Sequence, residues 1–197
     1  MRISLPNSNT FSKVFFQSLG KEIGDEIKGI ATDSREVQSG DLYIAIPGEN
    51  FDGHSFLKEV FIAGASAALV SSPKDNLKGS QIIVDNTIEA IGKVATKWRE
   101  QYQIPIIGIT GSNGKTSTKE LLRHVLSSKF DIHATEGNYN TSIGLPLTLL
   151  QLNAFHGASI IEMGANQKGD IDVLAKIAKP NYGLITNIAP AHLEGFG

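Results

Sequence analysis

The 197-residue sequence contains no cysteine. That excludes a disulfide framework and thiolate metal sites, and leaves oxygen or imidazole as the ligand chemistry for any metal. Charge of one sign is scarce as well: 18 Lys and Arg against 20 Asp and Glu give a formal net charge of −2. So even a balance offers no electrostatic surface for nucleic acid or an anionic membrane, and neither partner is expected. Long apolar runs are also missing. The longest, residues 61–70, is too short to span a bilayer and is interrupted by Gly64 and Ser66. The N-terminal Met-Arg-Ile-Ser-Leu-Pro shows no basic segment leading into an apolar stretch, so no signal peptide is read there. A cytoplasmic location and no membrane insertion are the resulting expectations.

What is present suits a globular protein of one or two domains: 41% of residues are hydrophobic and 19% charged. Short apolar runs alternate with amphipathic stretches. Strands are expected over 42–46, 67–70 and 81–84, with a turn at Pro47-Gly48 and a helix over 55–63. A longer helix follows, with Ile88, Ile91, Val94, Trp98 and Tyr102 at spacings of three or four residues, the signature of one buried stripe. The apolar run 104–109 carries Pro105, so its strand starts at or after that residue. A glycine-rich loop and a helix over 115–126 come next, then a strand over 159–163, a helix over 171–178 and a strand over 183–186. Such strand-helix alternation, with continuously apolar strands, predicts an α/β fold with a parallel sheet covered on both faces. The domain boundary is expected near 101–103, giving domains 1–101 and 102–197.

The strongest chemical signal lies at the loop after 104–109. A phosphate site needs inward-pointing N–H groups, hence glycines, and a helix N-terminus that favours an anion. Gly111 and Gly114 supply the freedom, Lys115 a mobile positive charge, and Thr116 a hydroxyl suited to Mg²⁺. The generic G-x-x-x-x-G-K-[ST] pattern nevertheless fails, because Ile109 stands five residues before Gly114. The plainer alternative is an ordinary glycine turn capped by Thr110 or Ser112. Glu162 ends a predicted buried strand, where open parallel sheets place ligands, and a carboxylate there can hold Mg²⁺ or simply cap a helix. Asn138 and Asn140 fall in a loop, where amides bind oxygens or merely form turns. His54, His124, His133 and His156 show no metal-ligand spacing, and none is given a catalytic role.

The segment Gly108-Ile-Thr-Gly-Ser-Asn-Gly-Lys-Thr-Ser-Thr118 resembles the ATP-binding loop of the Mur ligase family, which lacks that first P-loop glycine. The resemblance covers nearly the whole chain. Thr32-Asp-Ser-Arg35, Gly40-Asp-Leu-Tyr-Ile-Ala-Ile-Pro-Gly48 and Phe51-Asp-Gly-His54 are similar to the uridine-nucleotide-binding domain of two members. One of these adds the third amino acid of the cell-wall peptide, the other the terminal dipeptide. Gly137-Asn-Tyr-Asn-Thr-Ser-Ile-Gly-Leu-Pro146, Glu162-Met-Gly-Ala-Asn166 and Ala191-His-Leu-Glu-Gly-Phe-Gly197 favour the dipeptide-adding member. Its relative is expected to carry Ser-Ser-His after the glutamate and Asp-His near the end, where Met163-Gly-Ala and Ala191-His192 stand here.

The resemblance implies an ATP-driven ligase joining D-alanyl-D-alanine to UDP-N-acetylmuramoyl-tripeptide through an acyl phosphate, with Mg²⁺, as a monomer. By the same resemblance Thr110, Gly111, Ser112, Asn113, Gly114, Lys115, Thr116 and Ser117 hold ATP, and Thr116, Glu162 and His192 hold magnesium. Lys115, Glu162 and His192 would be catalytic, while Ser34, Arg35, Asn138 and Asn140 would bind substrate. Family members continue beyond the equivalent of Gly197, through the rest of the ATPase domain and a third domain. A 197-residue fragment is therefore expected to be inactive by itself. Two other readings stay open: a different P-loop enzyme, such as a kinase or GTPase, and a non-catalytic nucleotide-binding module.

Overall fold

The computed structural model describes residues 1–24, 26–48 and 51–190. Its packing divides the chain into two units, Met1–Val94 and Ala95–Gly197.

The first unit is built on a five-stranded sheet of order β1-β2-β3-β4-β5, comprising Arg2–Ser4, Gly29–Ala31, Asp41–Ile44, Ala67–Val70 and Ser80–Ile83. β1 runs antiparallel to β2 and the other neighbours are parallel, an α/β sheet with one antiparallel edge. Helix α1 (Ser8–Leu19) starts at Asn7, whose side chain accepts from the Thr10 N–H at 2.9 Å. It ends at Gly20, whose φ of +64° is the left-handed stop that glycine adopts without strain. Phe11 and Phe15 lie one helical turn apart and are fully buried, their ring centroids 5.8 Å from each other. The expected helix over 55–63 is a 3₁₀ turn, Gly53–Phe56, running into α2 (Leu57–Ile62). Asp41 is fully buried in β3, and the Arg2 guanidinium meets it with two hydrogen bonds of 2.7 and 2.9 Å. Only such a charged, two-pronged partner makes a carboxylate tolerable there.

Helix α3 (Thr87–Arg99) buries Ile91, Val94 and Trp98 as the periodicity predicts. It stops before Tyr102, whose ring instead lies 6.0 Å from that of Trp98. The packing divides inside this helix because its last turn bonds into the second unit. The Trp98 indole donates to the Leu152 carbonyl at 3.1 Å, and the Arg99 guanidinium reaches the carbonyls of Ala178 and Lys179.

The second unit holds four parallel strands in the order β7-β8-β6-β9: Ile132–Ala134, Ala158–Glu162, Ile106–Thr110 and Tyr182–Ile185. Helices α4 (Lys115–Leu126), α5 (Gly144–Leu149) and α6 (Asp170–Ala178) connect them. Leu122 and Leu126 of α4 pack on Ile109, Ile132 and Ile160. β6 and β8 read as buried apolar runs, but all four residues of β9 are exposed, against the expectation for strand 183–186. The order matters for function. From β6 the chain crosses to β7 on one side, whereas β9 returns on the other, so the carboxyl end of β6 is the switch point of the sheet, where such folds open a crevice.

β7 also carries a titratable group out of water. His133 is 8% exposed, its Nδ1 lies 2.8 Å from the Ser159 hydroxyl, and its ring centroid is 5.0 Å from that of His156. Burial, with a smaller like-charge effect from His156, pulls the His133 pKa from 6.5 down to about 4. Between those values the unfolded chain takes up a proton that the folded chain refuses. Stability from this group is therefore complete above pH 6.5 and falls as pH drops towards 4, by about 3 kcal/mol at most. Urea melts at pH 7 and pH 4.5 should show a smaller acid loss in His133→Gln than in the wild type. Equal losses in the two proteins would show that His133 does not set the slope.

Candidate functional site

The carboxyl end of β6 leads into the loop 111–114, and two of its residues have left-handed backbone. Gly111 has φ +138° and Gly114 φ +81°, values that side-chain-bearing residues rarely adopt. At Gly111 a Cβ would also run into the Thr186 hydroxyl and the Asn187 backbone. Gly114 is the residue before α4, and no side chain caps that helix. The first-turn N–H groups thus face the loop without a competing side-chain acceptor, as an anion site requires. The alternative of a turn capped by Thr110 or Ser112 does not describe this helix start.

The loop is braced by the residues just after β9. The Ser112 N–H donates to the Asn187 carbonyl at 3.1 Å, and the Asn113 N–H to the Asn187 side chain at 2.9 Å. The Thr186 hydroxyl donates to the Asn113 carbonyl at 2.6 Å, and the Ser112 hydroxyl to the Ala189 carbonyl at 2.8 Å. The Thr186 N–H bonds to the Thr110 carbonyl at 2.9 Å, continuing the β6–β9 ladder. Lys115 opens α4, and its ammonium group folds back to the Gly111 carbonyl at 2.7 Å, over the loop. Ser117, on the same turn, is exposed.

Glu162 closes β8 and is 2% exposed. One carboxylate oxygen accepts from the Thr116 hydroxyl at 2.9 Å and the other from the Asn140 amide at 2.8 Å. The Glu162 N–H donates to the Thr135 hydroxyl at 2.9 Å. Lys115, Thr116, Asn140 and Glu162, singled out from distant parts of the sequence, are thereby joined in one short span. Asn138 is not part of it: exposed, it gives its carbonyl to the Asn140 N–H at 2.8 Å in a tight turn. His192 lies outside the described residues.

The Thr116 hydroxyl and Glu162 carboxylate form an all-oxygen pair, the hard donor set that Mg²⁺ prefers. No group of three or more His, Cys, Asp or Glu side chains suited to a metal occurs among the described residues. Magnesium in general keeps several waters and takes one or two protein carboxylates beside phosphate oxygens.

In the first unit, Ser34 and Arg35 lie on the 3₁₀ turn Ser34–Glu36, after β2. The Arg35 guanidinium grips Asp33 at 2.5 and 2.9 Å while remaining 86% exposed, and this contact holds the Asp33 carboxyl well below the usual carboxylate range. His54 is a structural pin: its Nδ1 lies 2.6 Å from Asp52, and its Nε2 accepts the Ser71 N–H at 2.9 Å.

Thr135, Thr186, Asn187 and Lys119 escaped the sequence reading. Lys119 alone had a legible signal, as a lysine four residues after Lys115 on the helix face that carries Leu122 and Leu126 inward. The others act through loop geometry that only the folded chain displays.

Comparisons with known proteins point to one family. The profile of the Mur ligase family catalytic domain matches residues 26–109, and that of the Mur ligase middle domain matches residues 109–197. The UDP-N-acetylmuramoyl-tripeptide–D-alanyl-D-alanine ligase of Synechocystis is 44% identical over the whole chain, which spans 44% of that relative's length. The crystal structure of MurF from Acinetobacter baumannii superposes with a TM-score of 0.87 at 39% identity, over 92% of this chain and 42% of the other. MurF ligase from Thermotoga maritima, solved in complex with ADP, gives 0.77 at 35% identity, over 83% of this chain and 38% of the other. Among the described residues no helix is long and apolar enough to cross a membrane. With Mur ligase profiles matching residues 26–109 and 109–197, and a ligase of that family 44% identical over the whole chain, the chain belongs to the Mur ligase family.

Proposed function

We propose that this chain supplies the uridine-nucleotide and ATP sites of a ligase that joins D-alanyl-D-alanine to UDP-N-acetylmuramoyl-tripeptide. The observation that carries the reading is the convergence of Lys115, Thr116 and Glu162 at the switch point of a parallel sheet, with Thr116 and Glu162 2.9 Å apart. Sequence identity of 44% to a ligase named for that reaction supports the choice of substrates. The identity to named ligases favours an enzyme over a non-catalytic binding module. A kinase or GTPase does not account for the match of residues 26–109.

In this reading the backbone from Thr110 to Ser117 cradles the ATP phosphates, and the Lys115 ammonium swings from the Gly111 carbonyl onto them. The tripeptide carboxylate attacks the γ-phosphorus and ADP leaves, which gives an acyl phosphate. The dipeptide amine then attacks the acyl carbon through a tetrahedral intermediate, forming the amide and releasing inorganic phosphate. Such chemistry rests on positioning and charge stabilisation. Thr116 and Glu162, with His192 as a third candidate, would hold Mg²⁺, whose contribution is to neutralise charge on the phosphate oxygens. Asn140 orients Glu162 and Asn138 remains free for substrate oxygens, while Ser34 and Arg35 serve the uridine diphosphate end in the domain proposed to end near residue 101. We place the enzyme in the cytoplasm as a monomer.

The deciding assay uses the product of the complete coding sequence with ATP and Mg²⁺, and offers two acceptor pairs. UDP-N-acetylmuramoyl-tripeptide with D-alanyl-D-alanine should give the pentapeptide by mass spectrometry. The dipeptide precursor with a free diamino acid should give nothing. Product from the second pair alone would assign the protein to the relative that adds the third residue.

A further inference from the structure

Lys119 lies one helical turn beyond Lys115, yet it turns into the protein. It is 2% exposed, and its ammonium group donates to the Thr135 carbonyl at 2.6 Å, with Glu120 3.0 Å away at the surface. Lysine is almost never this buried unless a partner demands its charge, and at a core-facing position of α4 leucine or methionine would pack without that cost. Its partners are the Glu120 carboxylate at the surface and the buried Thr135 carbonyl, and Thr135 is the reason the second matters.

Thr135 is fully buried just past the end of β7. Regular pairing of β7 with β8 stops at Ala134 and Ile160, two residues short of Glu162. Beyond that point Thr135 takes over: its N–H donates to the Ile160 carbonyl at 3.0 Å, and its hydroxyl accepts the Glu162 N–H at 2.9 Å. On the other side Glu162 is held by its register with Ile109 of β6. The Glu162 main chain therefore sits between a strand ladder and one threonine, and that threonine is fastened from below by Lys119.

We infer that Lys119 is a positioning residue for the Glu162 carboxylate, acting through Thr135 to fix where Glu162 meets Thr116 and a magnesium-bound nucleotide. This inference rests on the proposed ATP and Mg²⁺ site. It assigns no contact with nucleotide to Lys119 itself. Loss of the ammonium leaves the Thr135 carbonyl buried without its donor and loosens the β7 side of Glu162, whereas the phosphate loop and Lys115 stay in place. The defect should therefore appear in the metal requirement and not in metal-free nucleotide affinity.

The test is calorimetric titration of ATP into the product of the complete coding sequence, first in chelator and then across a magnesium series. Lys119→Met should keep the wild-type affinity in chelator and need about tenfold more Mg²⁺ or higher for half-maximal enhancement, the usual scale for losing a residue that orients a metal ligand. Thr135→Val, which removes the hydroxyl at constant shape, should show the same displacement, and Thr135→Ser should restore the wild-type value. A wild-type magnesium requirement in both Lys119→Met and Thr135→Val overturns the inference. So does an equal loss with and without metal, which marks a general packing role. If Lys119→Met fails to fold, the contrast between Thr135→Val and Thr135→Ser decides alone. A wild-type chain that binds ATP without any effect of Mg²⁺ removes the proposed metal site and this inference together.

Discussion

Lys115→Ala, made in the product of the complete coding sequence, should lower turnover at saturating ATP by about 10²-fold or more, the scale for losing one preorganised charge-stabilising contact. Position drives the size of the effect. Lys115 is the first residue of α4, so its backbone belongs to the helix end that attracts phosphate, while its ammonium group, 2.7 Å from the Gly111 carbonyl, already lies over the loop. Short of any large rearrangement, the side chain needs only to exchange that carbonyl for a phosphate oxygen. The charge it carries is most valuable when negative charge spreads over the transferring phosphoryl group, so kcat should fall more than ATP affinity. Lys115→Arg should recover only part of the loss, because a planar fork on a longer stem does not replace a point charge at the same place. Steady-state rates of phosphate release, with acceptor and amine both present, give the number. Turnover near the wild-type value in Lys115→Ala would remove this loop from the mechanism.

The parts of this architecture that the sequence made legible are those where local pattern and tertiary role coincide. The helix 115–126 has the same limits in the fold because glycine precedes it and an apolar stripe of Leu122 and Leu126 runs along it. β6 starts at Ile106, one residue after a proline that has no N–H to donate to a ladder. The first forty residues were far less legible. β1 and β2 have three residues each, too few to display alternation, and the fully buried β2 is only Gly-Ile-Ala. α1 mixes Phe11, Val14 and Phe15 with the exposed Phe16, so its stripe is blurred. β9 was legible as a strand, its expected span 183–186 lying one residue from the observed Tyr182–Ile185. At the proposed site, residue types announced the glycine-rich loop before α4 and the acidic residue at the strand end. The supports did not show, because Thr135 and Asn187 are unremarkable in sequence and work through a hydroxyl and a carbonyl placed by folding.

Glu162→Gln should separate stability from function. The substitution keeps the shape of a side chain that is 2% exposed and removes a charge whose burial is costly. Glutamine can still accept the Thr116 hydroxyl through its oxygen, whereas its amide group faces the Asn140 amide and one of the two must rotate. Losing one hydrogen bond of this kind costs about 1 kcal/mol, and relief from desolvating a carboxylate offsets it, so the melting temperature should stay close to the wild-type value. The metal response has no such compensation. A neutral amide oxygen is a poor substitute for a carboxylate toward Mg²⁺, and Thr116 alone is left as a described oxygen ligand. The magnesium concentration for half-maximal ATP binding should rise by about 10²-fold or more, the upper end of the range for residues that only orient a ligand and beyond. Differential scanning calorimetry without nucleotide and a magnesium titration with ATP read the two quantities separately. A large drop in melting temperature with an unchanged magnesium requirement would make Glu162 a structural residue, and would move the metal site away from the end of β8.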